Sequence, residues 1–185
     1  MIVQPPVLLR VTSHATPHYS DPSNANEFYA ALGMLTVAWG RLEGHVIGNL
    51  LTIMNFPEVA PSGSLPLQWN GRLVLWTKGF SLVPTLQSHK DRAVAFMQSI
   101  VEEAEDRNFA SHAVWDEFVP GSTEPTIEAR NIRPGKGVVN VTDVRVTLSM
   151  LKSALAAANR LNLTMSEFTA LLSSLRPPPS TAARL

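Results

Sequence analysis

The sequence predicts an all-α protein, a bundle of four or five helices with a small β-hairpin inserted between the third and the last long helix. Two observations carry this prediction. Apolar residues recur at steps of three and four in four separate segments, and the period changes to alternation over residues 113–141. With 185 residues, the chain is long enough to bury one core. We divide it into an irregular N-terminal arm (1–23), a helical body (24–176) and a proline-rich tail (177–185).

The first helix is predicted over residues 24–56, where two stripes run along its length. The apolar stripe consists of Phe28, Leu32, Leu35, Trp39, Leu42, Val46, Leu50 and Ile53. On another face of the same helix lies a stripe of small residues, Ala30, Gly33, Val37, Gly40, Gly44 and Gly48. Each glycine inside a helix costs up to about 1 kcal/mol relative to alanine. We therefore expect another backbone to approach this stripe, from the same chain or from a second subunit.

Two shorter helices are predicted next. Trp69, Leu73, Trp76 and Phe80 have helical spacing and indicate a helix over 66–86. A clearer helix is predicted over 88–110, with Ser88 as its N-cap. Its buried seam is formed by Ala93, Phe96, Ile100 and Ala104.

The hairpin and the last helix complete the predicted fold. Alternation after residue 113 and extended segments at 126–130 and 137–141 predict a hairpin or an irregular β insertion. The helical rhythm resumes over 143–175, beginning with Val144. Thr164 and Glu167 form a possible capping box, so two consecutive helices here are the alternative.

Composition excludes several classes of function. Fifteen basic and fifteen acidic residues give a formal net charge of zero, so bulk positive charge does not hold this chain on a polymer. The absence of cysteine excludes disulfides, thiol catalysis and cysteine-ligated zinc. We expect no cofactor, because the sequence has no P-loop and no GxGxxG motif, and no metal, because His14 and His18 of the arm lack a third firm ligand. No apolar stretch is long enough for a membrane span and no signal peptide is recognisable, so we expect a cytoplasmic protein.

The seam of the third helix leads to the candidate site. One turn after Ala104 the next seam position is Arg107, followed by Asn108 and His112. An arginine aimed at a bundle interior is costly unless it meets a charge or lines a cleft that holds water. One interpretation is an internal ion pair between Arg107 and Glu43, with His112 near the last helix carbonyls. The other is a functional site.

Arg107, Asn108 and His112 resemble the signature of the HEPN superfamily, an arginine, a polar residue, three to five further residues and a histidine. The segment Trp39–Glu43 resembles the opening helix of small bacterial members. The resemblance covers roughly 24–175. It implies a metal-independent endoribonuclease, often a toxin or a defence element, that acts as a homodimer with both motifs facing one cleft. It also implies an RNA substrate and allows for an antitoxin or another protein partner.

In this interpretation His112 transfers the proton, Arg107 binds the phosphate, and Asn108 assists, with Glu43 as a supporting residue. Trp115 is placed to stack on a base, and Arg130 and Arg133 to bind the RNA backbone. The acidic run from Glu102 to Asp106 would repel RNA unless it lies on the far side of the helix. The alternatives are a non-catalytic helical module that binds a protein or a nucleotide, and an assembly protein that uses the glycine stripe.

Overall fold

The computed structural model describes residues 25–59, 64–134 and 139–175. The predicted N-terminal arm and C-terminal tail lie outside these ranges. Within them the chain is mostly helical and carries a small antiparallel sheet of three strands. The elements are α1 (Ala25–Met54), α2 (Trp69–Leu82), a 3₁₀ helix (Pro84–His89), α3 (Lys90–His112), β1 (Val114–Phe118), β2 (Thr126–Pro134), β3 (Val139–Thr147) and α4 (Leu148–Leu175).

The first helix packs most extensively against the last one. Lys152 binds Glu27, Asn162 donates to the carbonyl of Ala38, and Asn49 donates to Thr169. Because these partners follow one another in the same order along both helices, α1 and α4 run parallel. The predicted apolar stripe of α1 is buried apart from the half-buried Leu32, and each fully buried large apolar side chain contributes about 1.5–3 kcal/mol.

The second and third helices complete the core on the buried side of α1. The indole Nε1 of Trp76 donates to the carbonyl of Ala93 at 3.0 Å, and the rings of Trp76, Phe80 and Phe96 pack against Phe168 of α4. Gly79 of α2 is buried directly against Ile53 of α1. The predicted seam of α3 is confirmed, since Ala93, Phe96, Ile100 and Ala104 are all buried.

In the sequence the sheet follows α3 and precedes α4, and its strands have the order β1–β2–β3. The pairing of β2 with β3 is regular from Thr126↔Thr147 to Pro134↔Val139, whereas β1 shifts register between Trp115 and Phe118. The β1–β2 connection turns at Gly121, whose φ of 74° suits glycine.

Four details of the prediction differ from the structure. The insertion has three strands, and residues 143–147 belong to β3 rather than to the last helix. Val144 was predicted as the first residue of the last helix, but it belongs to a run of alternating β-branched residues that includes Val146 and favours a strand. Ser88 does not cap α3, because the segment that begins at Pro84 forms a 3₁₀ helix and α3 starts at Lys90. The helix predicted over 66–86 is shorter in the structure and forms α2. The last helix is continuous as predicted, and the alternative of two consecutive helices is wrong.

The stripe of small residues on α1 faces away from every described element. A methyl group added at Gly33, Gly40, Gly44 or Gly48 would have nothing described within 4 Å of it. Val37, in the same stripe, is 61% exposed. The expected close approach of another helix from the same chain is therefore wrong for the described residues. Separately, none of the described helices is long and apolar enough to cross a membrane.

Candidate functional site

The motif residues Arg107, Asn108 and His112 lie in the last six positions of α3. Their side chains lie outside the described part of the structure, so only their places on the helix are given. Position 107 follows Glu103 by four residues and shares its face, and position 108 is related in the same way to the buried Ala104. The helix ends when the amide of Ala113 donates to the carbonyl of Phe109 at 2.9 Å and Ala113 turns to extended backbone.

Aromatic side chains fix the position of this helix end. The ring of Trp115 is half-buried and meets Phe109 of α3 at 5.7 Å and Phe28 of α1 at 6.1 Å, both edge to face. Phe118 of β1 adds a further contact with Phe28, at 5.6 Å. Such pairs add about 0.5–1.5 kcal/mol beyond the area they bury. Trp115 therefore anchors β1 against α1 and α3, and its ring is engaged in packing.

The predicted basic surface of the sheet is charge-paired where the structure describes it. The guanidinium of Arg130 donates to Asp143 at 3.0 Å and to Asp116 at 3.4 Å, and Arg145 donates to Glu128 at 3.1 Å. The hydrogen bond from Arg130 to Asp143 and the charges of both aspartates raise the pKa of Arg130. These contacts favour a solvated sheet face over a phosphate cradle. The side chain of Arg133 lies outside the described residues.

Glu43 has a partner that the sequence analysis did not consider. Its carboxylate accepts a hydrogen bond from Arg72 of α2 at 2.7 Å, and the Arg72 side chain is only 7% exposed. Arg72 also donates to the carbonyl of Pro66 and lies over the ring of Trp69, 5.0 Å from its centroid. The sequence offered one signal for this ion pair, an arginine three residues after a tryptophan in an otherwise apolar helix.

The position of Glu43 also bears on the predicted ion pair with Arg107. Phe109, two residues after Arg107, packs against Trp115, and Trp115 packs against Phe28 of α1. This end of α3 therefore lies near Phe28. Glu43 follows Phe28 by 15 residues, which is about 22 Å along the axis of α1. This separation does not favour an ion pair between Glu43 and Arg107, on which the interpretation as a non-catalytic module depends.

A surface groove of about 440 Å³ lies between α3 and α4 beside the motif positions. It is lined by Glu103, Ser149, Met150, Ser153, Ala154, Ala157 and Arg160. The groove therefore extends along α4 from its first turn, and on α3 it reaches the face that position 107 shares with Glu103.

Glu124 binds the N-terminus of α4 at the end of this groove. Its carboxylate accepts hydrogen bonds from the hydroxyl of Ser149 at 2.9 Å and from the amide of Ser149 at 3.0 Å. These bonds, with the Ser149 hydroxyl contributing most, lower the pKa of Glu124 below its ordinary value of 4.5. The hydroxyl of Thr147 accepts from the amide of Met150, and the carbonyl of Pro125 accepts from the amide of Leu148. Three amides of the first turn are thus bonded within the chain.

In the described ranges no group of three or more His, Cys, Asp or Glu side chains is arranged to hold a metal ion. Compared with known proteins, the chain matches no family model, no curated protein and no solved structure.

Proposed function

We propose that this chain is a metal-independent endoribonuclease similar to HEPN proteins, with its four helices as the bundle and the sheet as the insertion. The observation that carries the proposal is the placement of Arg107, Asn108 and His112 in the last six positions of α3, beside the groove between α3 and α4. The aromatic contacts of Phe109 and Trp115 with Phe28 support it, because they hold this helix end on rigid elements.

The proposed chemistry uses the 2′-hydroxyl of RNA as the nucleophile. The 2′-oxygen attacks the adjacent phosphorus and the bond from phosphorus to the 5′-oxygen breaks, which leaves a 2′,3′-cyclic phosphate and a 5′-hydroxyl. Imidazole titrates near neutral pH, so His112 is suited to accept the proton of the 2′-hydroxyl or to protonate the 5′-oxygen. A guanidinium binds two phosphate oxygens at once, which is the role proposed for Arg107, and Asn108 supports either group.

The proposal includes a second copy of the chain, because one motif histidine per chain supplies only one of the two proton transfers. The second copy has to dock at the end of α3 to share one cleft. The glycine stripe lies on the opposite side of α1 from the buried stripe, and α3 packs on the buried side. Two chains paired through their glycine stripes would place both α1 helices between the two motifs.

A ribonuclease assay in EDTA tests the proposal. The wild type is compared with His112→Ala and with His89→Ala, a matched control because His89 precedes α3 at its opposite end. We expect the wild type and His89→Ala to cleave RNA equally and to leave cyclic-phosphate ends, and His112→Ala to lose at least about 100-fold in rate. Absence of cleavage by the wild type, or equal cleavage by all three proteins, would contradict the proposal.

A further inference from the structure

The groove between α3 and α4 contains an arginine that forms no ion pair with a described carboxylate. The described arginines on the charged face of the sheet all form such pairs. Four described arginines are bound to acidic side chains, namely Arg72, Arg92, Arg130 and Arg145. Arg160 is exposed and has no ion pair among the residues that the structure describes, although Glu103 lines the same groove. Its donors are therefore available to a ligand from solution.

The rest of the groove lining suits a phosphodiester backbone. Ser153 supplies a hydroxyl on the α4 side, whereas the Ser149 hydroxyl already donates to Glu124. Ala154 and Ala157 leave room between the two helices. Hydroxyls and guanidinium groups are the side chains that most often bind phosphate oxygens and sugars. A groove of about 440 Å³ has room for part of a single strand.

The groove also has a direction relative to the motif. Arg160 and Ser149 are 11 residues apart on α4, which is about 16 Å along the helix axis. Arg92 of α3 binds Glu167 of α4, whereas Glu103, further along α3, lines the groove with the earlier residues of α4. The two helices are therefore antiparallel, and position 107 lies at the Ser149 end. A strand that follows the groove from Arg160 reaches position 107 after a few nucleotides.

We propose that this groove binds the sugar–phosphate backbone of single-stranded RNA, with Arg160 as a phosphate ligand a few nucleotides from the bond that is cleaved. This inference rests on the endoribonuclease proposed above and names the path of its substrate. Arg160 is a binding residue and takes no part in bond breaking. Glu103 opposes binding, because its carboxylate faces the same groove as the incoming phosphates.

Binding is measured on protein that also carries His112→Ala, so that the RNA stays intact. Fluorescence anisotropy with a labelled single-stranded RNA of mixed sequence gives Kd at several salt concentrations. The test variant is Arg160→Ala. The matched control is Arg41→Ala, because Arg41 is exposed on α1, away from the groove, and also has no ion pair in the described residues. Glu103→Gln is the variant expected to act in the opposite direction.

We expect Arg160→Ala to raise Kd about tenfold and to reduce the slope of log K against log salt by about 0.7, the value for one phosphate contact on a single strand. Arg160→Lys should restore part of the affinity, Arg41→Ala should stay within about twofold of its parent, and Glu103→Gln should lower Kd. In the background with His112 intact, Arg160→Ala should raise KM and leave kcat within about twofold.

The outcomes separate the two proposals. If the wild type cleaves RNA and the His112→Ala parent binds it, but Arg160→Ala has the Kd and salt slope of Arg41→Ala, the groove assignment is wrong and the endoribonuclease stands. If the wild type does not cleave single-stranded RNA and the His112→Ala parent does not bind it, both are wrong. Thermal unfolding of each variant identifies a loss of binding that comes from misfolding, and in that case Arg160→Lys and Glu103→Gln decide the result.

Discussion

The glycines of α2 and those of α1 lie in opposite surroundings. A methyl group added at Gly79 of α2 would lie 2.3 Å from Cγ2 of Ile53, and one at Gly71 would lie 2.7 Å from Cβ of Pro66. Added at Gly33, Gly40 or Gly44 of α1, it would meet nothing described within 4 Å. Glycine lowers helix stability in both places, yet only in α2 does the described chain itself require it.

The role of a glycine inside a helix therefore depends on the surface that it faces. In α2, Gly79 allows Ile53 of α1 to approach closely, and the ion pair of Glu43 with Arg72 joins the same two helices. The α1 stripe exposes backbone and the apolar side chain of Val37, and no described helix covers it.

The largest effect is expected at the ion pair between α1 and α2. Arg72→Ala removes the buried partner of the partly buried Glu43 and should lower the free energy of unfolding by about 2–3 kcal/mol. Arg145→Ala is the control, because its ion pair with Glu128 is exposed and should contribute less than about 1 kcal/mol. Urea unfolding of both variants measures the difference. Equal losses would mean that burial does not set the strength of the Arg72 pair.

Gly79→Ala should lower the free energy of unfolding by about 1–3 kcal/mol, since the new methyl group overlaps a side chain that is branched at Cβ and fully buried. Ile53→Ala removes the overlapping atoms and leaves a cavity. In a double-mutant cycle the two changes together should cost less than the sum of the single changes. Strict additivity would show that Gly79 is not required by contact with Ile53.

Gly44→Ala should raise the free energy of unfolding by up to about 1 kcal/mol, because the methyl group enters open space and alanine favours the helix. The measurement is urea unfolding of dilute protein, beside Gly79→Ala as the opposite case. A loss of stability at Gly44 would show that the stripe is covered in solution, and its dependence on protein concentration would identify a second copy as the cover.

The smallest effect concerns the exposed carboxylate at the start of α4. Its hydrogen bonds with Ser149 lower the pKa of Glu124 in the folded state, so its contribution to stability is present above pH 4.5, the ordinary pKa. The contribution is lost as the pH falls from 4.5 through the lowered pKa. Glu124→Gln should flatten this part of the curve of unfolding free energy against pH. Glu117→Gln is the control, and curves that coincide for both variants would contradict the assignment.

The candidate site was predictable in part. The seam of α3 placed Arg107, Asn108 and His112 at the end of a helix, because that pattern depends only on spacing along one segment. The surroundings of Trp115, the carboxylates that bind Arg130 and the groove with Arg160 were not predictable. Each requires two or three segments that are distant in sequence to lie side by side.

The helices α1 and α3 and the buried face of each follow from the sequence alone, because amphipathic periodicity is a local property that burial reinforces. Tertiary structure decided which partner Glu43 takes, where α4 begins and what the glycines of α1 face. Residues 143–147 can follow either period, and pairing with β2 together with the cap from Thr147 and Glu124 selects the strand. Such choices depend on the free energy of contacts that exist only after the chain has folded.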